Sequence, residues 1–343
     1  MKFKFVLSLA CSAILLNASS FAASVHGSIT GRIHIGGDGG WDYLVVQPEA
    51  SRLFVSHAKQ VVVVDLKTKS IISSIVANGV HGIALAPDLN RGFISNGAGD
   101  TVTVFDLATL KILATLPAGK NPDAICYEPT THRVFAFNGK SGTATVIDAA
   151  NEKIIGEIPL EGKPEFAVAD GQGSVFDNLE DKSQVLKINA TTLAIEACWN
   201  LPEGSEPSGL AIDSAHQRLF IGCGNQTLVV MDSSSGRIIT TLPIGEGVDA
   251  CVYDPVGKRA FASCGDGTMT VIHQGDADTY TVAEKVTTEP RARTMAFDPT
   301  TGTAYLPTAK FGPIPPATPE HPKPRPPILP GSLEVLIVNT GSS

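Results

Sequence analysis

The chain has 343 residues and a formal net charge of −8, with 17 % charged residues against 33 glycines and 23 prolines. That balance speaks against a helical or disordered chain, and its excess of acids opposes a broad phosphate-binding surface, so nucleic acid is a disfavoured partner. It suits a turn-rich all-β protein of one long or two ordinary domains.

Residues 1–22 read as a secretory leader, with Lys2 and Lys4, an apolar run from Phe5 to Leu16, and small residues at Ser20 and Ala22 for cleavage. The run is too short for an anchor, and no later stretch approaches the ~20 apolar residues of a membrane span. A periplasmic or secreted location is therefore expected for residues 23–343. Removing Lys2 and Lys4 takes the charge from −8 to −10. The remaining cysteines, Cys126, Cys198, Cys223, Cys251 and Cys264, are odd in number and lack metal-type spacing. They read as small buried hydrophobes.

Past the leader, Ile29 to Gly36 resembles an outer strand yet precedes the first complete unit. The units then follow in order, and Val80–Asn96 with Thr101–Asp106 shows the phrase most clearly. A short apolar strand a is followed by a Pro/Asp/Asn turn, then a strand b of form Arg-x-Phe, then an alternating strand c ending in Asp, then an outer strand d. The c-strand ends fall at Asp65, Asp106, Asp148, Asn189, Asp232 and His273, spaced 41, 42, 41, 43 and 41 residues apart. Four short strands per such period describe a propeller blade. First strands near Trp41, Val80, Pro122, Pro164, Pro207, Val248 and Ala292 make seven. The expected fold is all-β, a single seven-bladed β-propeller. The N-terminal strand supplies strand d of the last blade beside a strand c at Leu333–Val338, which removes a free edge. A run with nine prolines, 311–331, interrupts the last blade between strands b and c. It cannot enter a ladder and reads as an extended decoration or binding element.

At strand b the chain resembles the YVTN-type repeat propellers, and the whole mature sequence is similar to the YncE-like exported family. The core stands as Phe93-Ile-Ser-Asn96, with relatives Phe54-Val-Ser-His57 and Phe135-Ala-Phe-Asn138. Cys223 and Cys264 depart by replacing the Asn, and blade 4 departs with Phe176-Asp-Asn-Leu179. The resemblance implies a seven-bladed propeller outside the cytoplasm, in a family read mostly as binding or scaffold proteins, with enzymes among related propellers.

Function is expected where the repeat stops repeating. The residue at the mouth of each strand a is Asp42, His81, Asp123, Glu165, Ser208, Asp249 or Arg293, which places one polar group per blade around one channel opening. His57 and Lys310 are added from the b–c ends, with Asn96, Asn138, Glu180 and Asp181 beside them. Any one of these could merely cap a turn. A shared turn would not call for His, Glu, Asp and Arg alike, so a small polar ligand or a protein partner is expected at this mouth. The carboxylates Asp42, Asp123, Glu165 and Asp249 repel unless they share protons, pair with Arg293 or hold a hard cation such as Ca²⁺. The primary reading is a monomeric, non-enzymatic binding propeller. The alternative is a metal-dependent hydrolase of the lactonase type at the same mouth, for which no nucleophile motif stands out.

Overall fold

The computed structural model describes residues 26–318, 322 and 324–341, so the leader expected at 1–22 lies outside the described residues. Seven four-stranded antiparallel sheets form the seven blades of a β-propeller. Blade 2 shows the plan, with strands a to d at Val80–Ala86, Arg91–Asn96, Thr101–Asp106 and Ile112–Pro117. Strands b and c are buried along nearly their whole length, whereas strand d is exposed or half-buried. The sequence already carries this gradient, because the b and c strands are almost continuously apolar or small while the d strands admit Thr, Lys and Glu.

The recurring aromatic of strand b fills the space between neighbouring sheets. Phe54, Phe93, Phe135, Phe176, Phe220 and Phe261 are at most 1 % exposed, each worth roughly 1.5–3 kcal/mol of burial. The arginine that opens strand b has a separate job. Each of five reaches across to the c–d end of the following blade: Arg52 donates to Leu107 O (2.9 Å), Arg91 to Glu152 (2.7 Å), Arg133 to Ala190 O and Thr191 O, Arg218 to Ala277 O (2.8 Å), and Arg259 to Thr340 O (2.8 Å). Blades 4 and 7 begin strand b with Ser174 and Thr303, so those two interfaces lack this latch.

The Asp closing strand c is a turn cap. Asp65 accepts from the Thr68 amide (2.7 Å), Asp106 from Thr109 (2.7 Å), and Asp232 from Ser235 (2.9 Å). His273 departs from the rule because strands c and d of blade 6 run on as nine-residue strands, Thr268–Asp276 and Thr279–Thr287, past the usual turn.

Ser28–His34 pairs antiparallel with Glu334–Asn339, from Ser28 opposite Asn339 to His34 opposite Glu334, and so closes blade 7. The first strand of that blade is short, Ala296–Asp298, and starts four residues later than Ala292. The preceding Arg291–Met295 makes no ladder pairs and is free to follow another course. The Pro-rich insert has a hairpin-like root: Phe311 bridges Ile328, Gly312 N–H donates to Pro327 O (2.9 Å), Leu329 N–H to Lys310 O (2.8 Å), and Gly331 N–H to Gly37 O (2.8 Å). Among the described residues no helix is long and apolar enough to cross a membrane.

Candidate functional site at the channel mouth

A β-bulge places the variable residue of each blade. In six blades the a–b register slips just after the first residue of strand a, between Trp41 and Leu44, Val80 and Ile83, Pro122 and Ile125, Pro164 and Ala167, Pro207 and Gly209, and Val248 and Ala250. The slip re-aims the second residue, so Asp42, His81, Asp123, Glu165, Ser208 and Asp249 leave the ladder. The strand b hydroxyls accept the amides this frees: Ser56 Oγ accepts Asp42 N–H (3.1 Å), and Ser95 Oγ accepts Gly82 N–H (2.8 Å) while donating to Asp123 O of the next blade. The Ser of the repeated core phrase is thus a bulge support and an inter-blade tie.

The side chains so turned converge and pair. His81 Nδ1 lies 2.6 Å from Asp42 Oδ2 and 3.6 Å from Asp123 Oδ1. Arg293 Nε is 3.1 Å from Asp249, whose other oxygen accepts from Ser208 Oγ (3.2 Å). Lys163 bridges Glu165 (3.1 Å) and Glu180. Below them Tyr43 and Phe166, from blades 1 and 4, meet across the channel with ring centroids 5.3 Å apart, and the Tyr43 hydroxyl donates to Glu165 O (3.1 Å). The mouth is therefore a cul-de-sac. Its base is a cavity of about 130 Å³ lined by Asp42, Asp123, Glu165, Asp249 and Arg293 with the two rings beneath.

Charge in this pocket is costly, and the titrating groups show it. Burial, with the Asp42 charge adding to it, pushes the Asp123 carboxyl up to about 7 against the opposing pull of His81. Burial and then Glu180 lift Glu165 to about 7, and burial lifts Asp249 to about 6 despite Arg293. The hydrogen bond to Asp42 raises His81. The carboxylates thus meet their mutual repulsion partly by holding protons and partly by pairing with His81, Lys163 and Arg293.

Not every expected residue joins the mouth. His57 is 2 % exposed and packs beneath the 36–40 loop, where a β-carbon on Gly37 would come within 2.6 Å of its ring, and burial pushes its imidazole down. Its counterparts Asn96 and Asn138 are likewise buried, capping Thr103 (2.9 Å) and Thr145 (3.0 Å). Lys310 is exposed at the root of the insert, fixed through its backbone to Leu329 and Ser332. His57, Asn96 and Asn138 end their b strands, and Lys310 lies two residues past the end of strand b of blade 7 at Thr308. The four carboxylates of the expected cation set line one cavity, but their ligand atoms are not all within 4.8 Å of one another. Among the described residues the ligand atoms within 4.8 Å of one another are those of Asp42, His81 and Asp123, while Glu165 and Asp249 are engaged by Lys163 and Arg293. A mixed nitrogen and oxygen set suits a transition metal better than Ca²⁺.

Sequence reasoning missed Tyr43, Phe166 and Lys163, although each adjoins or lies within two residues of a register position. Asp177 stands in the sequence only as a departure of blade 4 from the repeat. Asp177 sits on strand b where the aligned residues are Val55, Ile94, Ala136, Ile221, Ala262 and Leu306. Its carboxyl is fully buried with no hydrogen-bond partner for either oxygen among the described residues, and burial, then the charge of Glu165, raises it far above the usual carboxylate range. The five cysteines among the described residues are free, and burial lifts the Cys223 and Cys264 thiols to about 12, leaving them unreactive.

The fold defines the class: a seven-bladed β-propeller with a blind polar mouth. No protein-family model matches the sequence, and no curated protein matches it. Solved structures match along most of the chain. A structure of hydrazine synthase from Kuenenia stuttgartiensis is similar with a TM-score of 0.70 at 15 % identity, over 80 % of this chain and 94 % of that one. A structure of U3-55K gives 0.72 at 10 % identity, covering 92 % and 98 %. A chain of a mitotic checkpoint complex gives 0.74 at 12 %, covering 98 % of both. At such identities the likeness is one of fold.

Proposed function

We propose that the protein is an exported, non-enzymatic binding propeller of YncE-like kind whose mouth receives a cationic group of a small ligand or of a protein partner. The observation that carries this reading is the convergence of Asp42, Asp123, Glu165 and Asp249 on one blind cavity of about 130 Å³. Drug-sized ligands occupy about 300–1,000 Å³, so this volume suits one ammonium or guanidinium head, with the rest of the ligand outside. The leader supports export, and the presence of one similar propeller in a mitotic checkpoint complex fits partner binding by such a fold. Calorimetric titration with cadaverine at pH 8 tests the site. Saturable binding is expected, weakened at least tenfold in Asp123→Asn/Asp249→Asn. Equal affinity in the double variant, or no binding by the wild type, would refute it.

The Asp42, His81 and Asp123 set favours a second reading, a metal-dependent hydrolase, in which those three residues hold the ion and a neighbouring carboxylate serves as base. Metal analysis after loading with Zn²⁺ or Mn²⁺, followed by a lactone and ester panel, tests it. Absence of turnover by loaded protein would remove this reading and leave the first.

A further inference from the structure

We propose that the cavity beneath the Pro-rich insert is a second binding site, for a small organic anion with an aromatic or apolar body. Its volume is about 870 Å³, within the range of small-molecule sites, and it lies beside the mouth, sharing only Arg293 with it. The course of the chain explains why it exists. Residues 291–295 stay out of the blade 7 ladder, and the rooted insert stands above them, so Phe311, Arg325 and Ile328 form a wall over Arg291.

The lining has two halves. One is cationic: Arg291, Arg293 and Arg325 face the same space, and burial, with the charges of Arg325 and Arg293 adding to it, depresses Arg291. Arg293 is paired with Asp249, whereas among the described residues no carboxylate lies within ion-pair distance of Arg291 or Arg325. Among these residues Arg291 and Arg325 thus stand in one cavity without a carboxylate in ion-pair contact, and guanidinium forks match carboxylate and phosphate. The other half is apolar and aromatic. Trp41 and Phe311 lie with ring centroids 6.2 Å apart, the Arg291 guanidinium stands 5.1 Å over the Phe311 ring, and Ile328 adjoins them. This positions a planar body against the rings while its head meets the arginines. Neither acid on the cavity wall is ion-paired with an arginine of the cluster. Asp266 is taken by the Glu246 amide (3.1 Å) and the Thr268 hydroxyl (2.6 Å), with Lys285 at 3.9 Å, and Glu246 remains to accept from a ligand donor.

Trp41 makes the test direct, because Trp199 is the one other tryptophan and Trp199→Phe leaves Trp41 as sole reporter. Phenylacetate, transparent at the excitation wavelength, is titrated against phenylacetamide, its neutral counterpart of the same shape. A saturable change in Trp41 emission is expected with phenylacetate, with the amide at least tenfold weaker, which corresponds to about 1.4 kcal/mol. Arg291→Ala and Arg325→Ala should each weaken the anion at least fivefold, with an unchanged unfolding midpoint for the exposed Arg325 variant. Amide binding as tight as the anion, or anion affinity unchanged in the Arg291→Ala/Arg325→Ala protein, would overturn the proposal, as would no response to either probe. Phenylacetate binding should persist in Asp123→Asn/Asp249→Asn, so this site and the mouth can fail independently.

Discussion

Replacing Asp177 by Asn isolates the cost of one carboxyl placed where six other blades carry aliphatic residues. In the native protein burial keeps this group protonated, while in the unfolded chain it ionises near pH 4. The folded state then binds one proton more than the unfolded state. The stability this contributes is complete below the unfolded value and is lost as pH rises, at about 1.4 kcal/mol per pH unit. Between pH 5 and 6.5 the wild type should therefore lose about 2 kcal/mol through this group. With an unfolding entropy of about 2.1 cal/mol/K per residue, that is about 3 °C in a domain of this size. Asn has no proton to lose, and any fixed penalty for its amide is the same at both pH values. The slopes from Asp123, Glu165 and Asp249 are common to both proteins and cancel. Calorimetric melts at the two pH values should show the relative stability of Asp177→Asn rising by about 2 kcal/mol. A difference constant with pH, or one that shrinks as pH rises, would refute the assignment of a neutral buried acid.

Three further outcomes follow from the geometry. Arg259→Ala leaves Asp254 buried without its 3.0 Å partner and cuts the tie to Thr340, so it should cost about 3–5 kcal/mol in denaturant unfolding, where a loss below 1 kcal/mol would show the latch to be idle. Phe166→Ala removes half of the channel plug and should cost roughly 3 kcal/mol; stability within 1 kcal/mol of wild type would mean that the two rings do not pack as a floor. Deleting 313–326 should preserve the circular dichroism of the propeller, because the blade strands lie outside it, while abolishing the phenylacetate response. Unfolding on deletion would show the insert to be part of the fold.

Much of the fold was legible because a propeller writes its period into the chain. The Asp at the end of strand c repeats since the usual c–d turn needs the same cap, and the Phe of strand b repeats since neighbouring sheets must fill the same gap. That Asp42, His81, Asp123, Glu165, Asp249 and Arg293 come near one another was legible because one residue per blade varies there. What stayed hidden depended on direction rather than on residue type. His57 at the end of its strand and Lys310 just past the end of its strand have functional-looking side chains, yet one packs under a glycine loop and the other stands at the insert root. Tyr43 and Phe166 look like ordinary strand residues until two blades, 1 and 4, are seen facing each other across the axis. The cavity under the insert joins Trp41, Arg291 and Arg325, residues from three separate stretches of chain that no local pattern links.

Whether buried mouth carboxylates read the positive charge of a ligand is tested most directly by counting protons when that ligand binds. Cadaverine titrations at pH 6.5 in buffers of different ionisation enthalpy give the number released. Because Asp123 and Glu165 sit at about 7, a cation in their midst should expel on the order of one proton, and its affinity should rise between pH 5.5 and 8. Proton uptake, or an affinity indifferent to pH over that range, would contradict it.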